Sequence, residues 1–344
     1  MRLWLAAAIG VVLGAAALAG VYYAARGLDR GLAQQLLESA SDPAEQRPLL
    51  GRGTVEVYAD GRWRRAEADF DLAEGVSRVS MQEGPLQVAL LDDGSRLWRL
   101  ETATKTAVAL GPSERSLDWA RVLSSYEPGL GPKQRVAGRL AQCVTLVSRR
   151  TRRVAAAVWV DVSTSQIVKR LTYDADGHLV AATELTSTEA TPRLTREQLA
   201  IPRDWRRAQG GEDSARSISV SAFQTAAGFA PRLPAHVPRG CEFVGLFIRT
   251  CPHGCPYAEL RYEDGLRVLA VYEHRPCGRG RGRGGCGRGQ GQGRGCQAGT
   301  PDRQPVLIDQ GPAKTVRHRR ADLMVVVTGD LTAREILDVI RSIA

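Results

Sequence analysis

The chain has 344 residues, of which 43% are hydrophobic and 24% are charged. That length and composition allow two domains with mainly aliphatic cores. The formal net charge is +10, and about half of the excess comes from arginines in one glycine-rich stretch, Gly278–Gly299. The remaining positive charge is scattered, which favours anionic partners such as lipid headgroups or an acidic protein and argues against a nucleic-acid partner.

The chain begins with an uncharged segment. Leu3 to Ala25 contains no charged residue, and Arg26 ends it. As a helix this segment would reach about 35 Å, enough to span a bilayer. Two interpretations stay open for residues 1–26: an uncleaved inner-membrane anchor through residues 3–25, or a signal peptide cleaved near Ala17-Leu18-Ala19. Both predict a periplasmic or otherwise extracytoplasmic location for the rest of the chain.

A helix and a first group of strands come next. Gly27–Ser41 is predicted as a helix with Leu28, Leu32 and Leu36 on one face. A helix over Leu117–Ser124 is predicted to end at Glu127-Pro128-Gly129. Between the helices, apolar alternation and turn residues predict the strands Thr54–Ala59, Arg62–Leu72, Val76–Met81, Gln87–Leu91 and Ser95–Leu100.

The segment Gln134–Glu189 has the composition of an antiparallel meander. Short β-rich runs alternate with basic, Ser/Thr-rich or Asp-Gly turns, as in hairpins. The predicted strands are Gln134–Ser148, Val154–Val162, Ile167–Tyr173 and His178–Thr186. Roughly ten strands with one or two helices predict an α+β fold in which residues 27–189 form a curved sheet or half-open barrel capped by helices.

A polar stretch over 190–217 is predicted as a linker, followed by a smaller α+β domain over 218–344. Thr332 and Glu335 fit a capping box, and the helix that follows places Ile336, Val339, Ile340 and Ile343 on one face. The glycine density of 278–299 predicts disorder. Strands are predicted at Cys241–Thr250, Ala258–Tyr262, Leu266–Tyr272 and Leu323–Val327, with Asp264-Gly265 as a hairpin turn.

No nucleophile elbow, P-loop, zinc-protease motif or dinucleotide fingerprint occurs in the sequence. The five histidines are dispersed, so no catalytic triad can be argued. We therefore predict a binding protein without enzymatic activity or cofactor.

Three tryptophans and two arginines are candidate contacts for a lipid or a partner. Trp63, Trp98 and Trp159 lie in predicted strands, where they either line a cavity or complete an ordinary core. Arg135 and Arg139, four residues apart in one predicted strand, point to the same face and either hold an anionic group or form a solvated ion pair. The neighbouring carboxylate of Asp161 is expected on an exposed face.

The cysteines leave three interpretations open: disulfides, free thiols or a metal site. An extracytoplasmic location favours oxidation, and the Cys-x-His-x-Cys spacing is not a recognised zinc knuckle. We expect Cys143 to be a buried thiol and predict no metal. The disulfide candidates are Cys251, Cys255, Cys277, Cys286 and Cys296.

Several segments in fixed order resemble a known family. Arg135–Arg139 (RVAGR), Trp159-Val160-Asp161, Tyr173–Gly177 and Glu184–Glu189 are similar to the N-terminal domain of the periplasmic sigma-E regulatory proteins, the RseB/MucB family. In that family an RVAGR strand, a W-x-D strand and a D-x-x-G hairpin occur in the same order and spacing.

Two further segments extend the resemblance into the smaller domain. Tyr262–Leu266 is similar to the family's Y-S-D-G-L strand pair, and Val325–Thr332 resembles its last strand and helix start. The resemblance covers residues 27–344 apart from the glycine-rich insertion.

The resemblance implies a half-open antiparallel barrel like those of the lipoprotein carrier LolA and the receptor LolB, followed by a sheet with one helix. It also implies a function, which is to bind the periplasmic segment of a membrane-bound anti-sigma factor and control its proteolysis, with release when a lipid-like signal occupies the barrel. The alternative is a carrier of lipid or lipoprotein acyl chains in the cell envelope.

Overall fold

The structure is a computed structural model, and it describes residues 29–59, 61–83, 86–113, 119–190, 194–208, 217–251, 254–275, 304–309, 313–320 and 323–343. The predicted anchor or signal peptide over 1–26 and the predicted disorder over 278–299 lie outside these residues. Within the described part of the chain, no helix is both long and apolar enough to cross a membrane.

Twelve strands form one large sheet. They are β1 (Leu49–Ala59), β2 (Arg62–Ala73), β3 (Val76–Glu83), β4 (Leu86–Asp92), β5 (Arg96–Glu101), β6 (Thr106–Pro112), β7 (Tyr126–Val136), β8 (Arg139–Ser148), β9 (Val154–Asp161), β10 (Ile167–Tyr173), β11 (Leu179–Ala190) and β12 (Arg206–Ala208). Their order is β12-β6-β5-β4-β3-β2-β1-β11-β10-β9-β8-β7. Neighbours are antiparallel except β12 and β6, which run parallel.

The large sheet curls without closing, because its edge strands β12 and β7 do not pair with each other. Its curvature brings together side chains from strands that are not neighbours. One buried cluster contains Phe70 of β2, Val136 of β7, Val168 of β10 and Leu185 of β11. A side-chain core therefore fills this part of the concave face, and the half-open α+β fold predicted from the sequence is confirmed.

Helix α1 covers residues 29–41, and α2 is Trp119–Ser125. The predicted apolar face of α1 is wrong, since Leu32 is 52% exposed. The buried face instead consists of Ala33, Leu37 and Ala40, which pack against β8 and β9 in the same core as α2. Two alanines allow the helix backbone to approach the sheet closely, which a row of leucines would prevent.

The predicted single strand Gln134–Ser148 is wrong, because the chain reverses within it. Ala137 and Gly138 have φ values of 51° and 79° and form a tight turn between β7 and β8. Positive φ at both central residues matches the twist of the flanking strands. The helix predicted over Leu117–Ser124 ends before Glu127-Pro128-Gly129, as expected, and these three residues belong to β7, which begins at Tyr126 directly after α2.

A second sheet follows, with six strands in the order β13-β14-β15-β18-β17-β16. Its strands are β13 (Glu242–Thr250), β14 (Pro256–Glu263), β15 (Val268–His274), β16 (Val306–Asp309), β17 (Lys314–Arg320) and β18 (Leu323–Gly329). Four of them were predicted, whereas β16 and β17 were not. Helices α4 (Val220–Ala227) and α5 (Ala333–Ser342) complete this part of the chain, and both contribute buried side chains to one core with the sheet.

The predicted linker over 190–217 contains a short helix, α3 (Arg196–Leu199), and strand β12. Leu199 and Ile201 pack in a core with Trp98 of β5. This stretch therefore covers one end of the large sheet before the chain enters the smaller one. The domain boundaries themselves stay a prediction.

The capping box of α5 is confirmed. Thr332 Oγ1 accepts the N–H of Glu335, and Glu335 Oε2 accepts the N–H of Thr332 at 2.9 Å. Ile336, Val339 and Ile340 are fully buried, as their spacing predicted.

We predict that Thr332→Ala lowers the free energy of unfolding by about 1 kcal/mol, because the first turn of α5 loses an acceptor for a backbone N–H. Urea denaturation measures the change. Thr332→Ser is the control, since it keeps the hydroxyl. A loss as large in the serine variant would show that the methyl group, not the cap, stabilises this site.

Candidate functional site

The two sheets meet along a buried interface. Tyr126 at the start of β7 is fully buried, and its hydroxyl donates a hydrogen bond of 2.7 Å to Asp264 Oδ2 in the β14–β15 turn. Burial and the charge of Asp264 raise the pKa of Tyr126, so its hydroxyl remains a donor. Gly265 has φ +97°, and a Cβ there would lie 2.8 Å from Val122 N, so the contact requires glycine.

Charged groups close the other side of this interface. Asp330 accepts the N–H of Ala175 at 2.7 Å and pairs with Arg267 at 2.6 Å. Burial raises the pKa of Asp330 even though Arg267 opposes the shift. Lys314 Nζ lies 2.5 Å from Asp176 Oδ2, and this hydrogen bond lowers the pKa of Asp176. These contacts hold the β10–β11 turn against the end of β18.

Beside these contacts lies a cavity of about 510 Å³ between the two sheets, which we call the interdomain cleft. The large sheet contributes mostly small and aromatic side chains from β9 to β11, together with Arg170, and the small sheet contributes β14, β15 and the end of β18. Apolar members include Ala156, Tyr173, Val180, Leu266, Val268 and Tyr272. The volume lies in the range of ordinary ligand sites, and the apolar lining fits a hydrophobic occupant.

Charge in the cleft is concentrated on its small-sheet wall. Glu259 is 2% exposed and accepts hydrogen bonds from Arg249 Nε at 2.7 Å and Arg261 Nη2 at 2.8 Å. Both guanidinium groups also lie over the Phe247 ring, at 5.6 and 5.5 Å from its centroid. Among the lining residues, Arg170, Arg261 and Arg267 outnumber Glu259 and Asp330, so the cleft carries an excess of one positive charge, which suits an acidic occupant.

The structure places the three candidate tryptophans apart, and none of them lines the cleft. Trp63 is 45% exposed near the β1–β2 turn, where it contacts Tyr58 edge-on. Trp98 is buried, and its Nε1 donates to Asp93 Oδ2 at 2.8 Å. Trp159 is half-buried beside the cluster on the concave face, with Lys169 Nζ 5.1 Å from its ring centroid.

The two candidate arginines lie on different strands, so the predicted shared face is wrong. Arg135, in β7, donates to Gly138 O at 2.8 Å, whereas Arg139 begins β8 and pairs with Asp161 at 2.6 Å. The prediction of an exposed Asp161 is also wrong, since its side chain is 1% exposed. The β7–β8 turn and the chain reversal after β9 bring Arg139 and Asp161 together.

Cys251 and Cys255 flank a tight turn in which the Cys251 N–H donates to Cys255 O at 2.9 Å. Cys143 is buried as expected, and burial raises its pKa. Cys277, Cys286 and Cys296 lie outside the described residues, so the disulfides stay a prediction. The described residues contain no group of three or more His, Cys, Asp or Glu side chains suited to a metal ion.

The cleft could not be predicted from the sequence. Its lining comes from segments between Ala155 and Asp330 that only the tertiary structure brings together. One local signal was present, because Leu266 and Arg267 directly follow the Asp264-Gly265 turn that the sequence identified.

Residues 75–202 match the model of the MucB/RseB N-terminal domain. The Pseudomonas aeruginosa MucA/MucB complex structure matches 89% of this chain and 96% of the solved chain, with 20% identity and a TM-score of 0.58. A structure of MucB in complex with MucA(peri) covers the same shares, with 18% identity and a TM-score of 0.57. A LolA-superfamily protein from Nitrosomonas europaea covers 49% of this chain and 97% of its own, with 14% identity and a TM-score of 0.27. No curated protein matches the sequence. The resemblance predicted from the sequence is thereby confirmed, and the fold extends over both sheets.

Proposed function

We propose that this chain, in which residues 75–202 match the MucB/RseB N-terminal domain, is an extracytoplasmic regulatory protein that binds the periplasmic segment of an anti-sigma factor. The observation that carries the proposal is the structural match, over 89% of this chain, to MucB, which was solved in complex with MucA(peri). The match includes both sheets, so the surface between them is available for the same kind of partner.

The interdomain cleft is the proposed binding surface. Its walls come from both sheets, so its shape depends on the contacts that Asp264, Asp330 and Lys314 make across the interface. Apolar groups such as Val268 and Tyr272 would take hydrophobic side chains of a peptide, and the Arg249–Glu259–Arg261 group would attract its acidic residues.

Control of proteolysis follows from binding in this proposal. A protease must take its substrate as an accessible, extended segment, and a segment held in the cleft is withheld from it. The location outside the cytoplasm and the anchor through residues 3–25 belong to the same proposal. N-terminal sequencing of the mature protein distinguishes a retained anchor from a cleaved signal peptide.

The direct test uses the extracytoplasmic segment of a candidate anti-sigma factor, chosen from the genes that neighbour the gene for this chain. Isothermal titration with the full chain should show saturable binding at micromolar concentration or below, and the bound segment should resist a site-specific protease. Absence of heat and of protection at that concentration would refute the proposal.

We predict that Val268→Asp weakens binding of this segment at least about tenfold, because a carboxylate would replace apolar surface and repel acidic residues of the partner. Val268 is 46% exposed, so the fold should tolerate the change. Val57→Asp is the matched control, since Val57 is 42% exposed and lies outside the cleft. Equal losses in both variants would place the binding surface elsewhere.

A lipid-binding role rests on a separate observation. In this role the lipid is either the signal that releases the anti-sigma factor or the cargo of a carrier. Trp159 Nε1 is buried and has no hydrogen-bond partner among the described residues, so an oxygen of a bound molecule would satisfy it. Mass spectrometry of the purified protein under native conditions tests this function. A spectrum without acyl lipid, and without uptake after lipid is added, would exclude it.

A further inference from the structure

Three arginines surround one carboxylate on the surface of the large domain. The Glu127 carboxylate lies 3.8 Å from Arg149, 3.6 Å from Arg152 and in contact with Arg30. The arginine side chains are 48%, 75% and 50% exposed, whereas that of Glu127 is 21% exposed. We call Arg30, Arg149, Arg152 and Glu127 the basic cluster. It carries an excess of two positive charges, and none of its members lines the interdomain cleft.

Three different elements position the basic cluster. Arg30 lies in the first described turn of α1, Glu127 in β7, and the other two arginines in the β8–β9 turn. That turn is fixed to the body of the protein, because the Arg149 N–H donates to Ser125 O at 2.9 Å and the Arg152 N–H donates to Ser148 O at 2.8 Å. The backbone of the turn is therefore anchored, and Arg149 Nε also donates to Leu123 O at 3.4 Å.

The geometry points to a docking surface for a bilayer of anionic phospholipids. Exposed ion pairs contribute little to stability, so the arginines can exchange Glu127 for phosphate oxygens, which guanidinium groups bind in bidentate fashion. Arg30 follows Ala25, the last residue of the uncharged segment, by five positions, which span at most about 18 Å. Basic residues this close to an apolar segment are placed at the headgroup level of a membrane.

Charge on neighbouring residues does not cancel the excess. Asp29 adjoins Arg30 on α1, whereas Arg153, in the same turn as Arg149 and Arg152, pairs with Asp176, a carboxylate that it shares with Lys314. Arg153, Lys314 and Asp176 together carry one positive charge, which offsets Asp29. The proposal does not depend on the anti-sigma factor. A cleaved signal peptide would leave the basic cluster as a peripheral docking surface, and a retained anchor would hold it against the bilayer.

Hydrogen–deuterium exchange of the full chain tests the proposal, because it reports on the turn itself whether or not residues 3–25 insert. The probes are vesicles of phosphatidylcholine alone and vesicles of phosphatidylcholine with phosphatidylglycerol. We expect amides of residues 149–153 to exchange about fivefold more slowly on the anionic vesicles, and this difference should disappear when salt is raised from about 0.1 M to about 0.5 M.

Arg149→Gln/Arg152→Gln should abolish the difference between the two kinds of vesicle, and Arg152→Gln alone should reduce it. Arg52→Gln/Arg65→Gln is the matched control, because both arginines are exposed and paired with carboxylates on β1 and β2. Exchange in β14 and β15 verifies the fold of each variant. Equal exchange on both kinds of vesicle, an equal effect of the control pair, or protection by an acidic peptide but not by vesicles would overturn the proposal.

Discussion

Asp161→Ala is expected to lower the free energy of unfolding by about 3 to 5 kcal/mol, because it removes the buried carboxylate that pairs with the Arg139 guanidinium. The Asp161 carboxylate is 1% exposed and lies 2.6 Å from Arg139 Nε. It also accepts the N–H groups of Ser163 and Thr164 at 2.9 and 2.8 Å, which fixes the turn between β9 and β10. The variant would leave these donors without their acceptor and Arg139 without its carboxylate.

Urea denaturation at neutral pH measures the effect, with Asp69→Ala as the control. Asp69 pairs with Arg52 on the surface, where the side chains are 69% and 82% exposed, so we expect a change below about 1 kcal/mol. Similar losses in the two variants would contradict a special role for the buried pair.

Acid should remove the same stabilisation in the unmodified protein. Burial alone would raise the pKa of Asp161, but hydrogen bonds from Arg139, Ser163 and Thr164 outweigh it and lower the pKa below 3.8. Because the pKa of Asp161 is lower in the folded protein than in the unfolded chain, its contribution to stability is fully present at pH values above the unfolded pKa. That contribution is lost as the pH falls through the folded pKa.

Glu273→Gln is expected to stabilise the protein at alkaline pH and to have little effect in acid. Glu273 is fully buried in β15, and burial raises its pKa from 4.5 to about 7, although the Arg232 N–H and charge oppose the shift. The folded state therefore holds the proton more tightly than the unfolded chain. Stability should fall as the pH rises from about 4.5 to about 7 and stay low above that, a loss on the order of 3 kcal/mol that glutamine avoids.

The measurement compares the free energies of unfolding of both proteins at about pH 5 and about pH 8. The difference between them should grow with pH. Glu184→Gln serves as the control, because the side chain of Glu184 is 44% exposed and pairs with Lys169 on the surface. If the difference in free energy of unfolding between the Glu273 variant and the unmodified protein were the same at both pH values, the raised pKa of Glu273 in the folded protein would be refuted.

The strands with dense β-branched residues could be predicted from the sequence. Ile167–Tyr173 was predicted with the bounds that the structure shows, and Val154–Val162 differs from β9 by one residue. Strand β17 was missed because Lys314, Arg317, His318, Arg319 and Arg320 hide its alternation. Its pairing with the apolar strand β18, rather than its own pattern, makes it a strand.

The errors around Arg135 and Arg139 have a local cause. Alanine rarely adopts the left-handed conformation that Ala137 has, so the sequence RVAGR reads as one strand unless the turn is known. Once the strand is divided, the period-two argument no longer relates the two arginines. The cleft escaped prediction for another reason, because the contacts that form it join residues more than a hundred positions apart, such as Ala175 and Asp330.

The β14–β15 turn has a consequence for how the chain can be divided. Leu266, next to Gly265, packs against the core that contains Val122 and Tyr126, so a hairpin of the second sheet completes the interior of the first. The large domain cut at the linker would have a hole where Leu266 sits and an exposed phenol without its carboxylate. We therefore expect the large sheet, expressed without the second sheet, to be less stable than it is in the full chain.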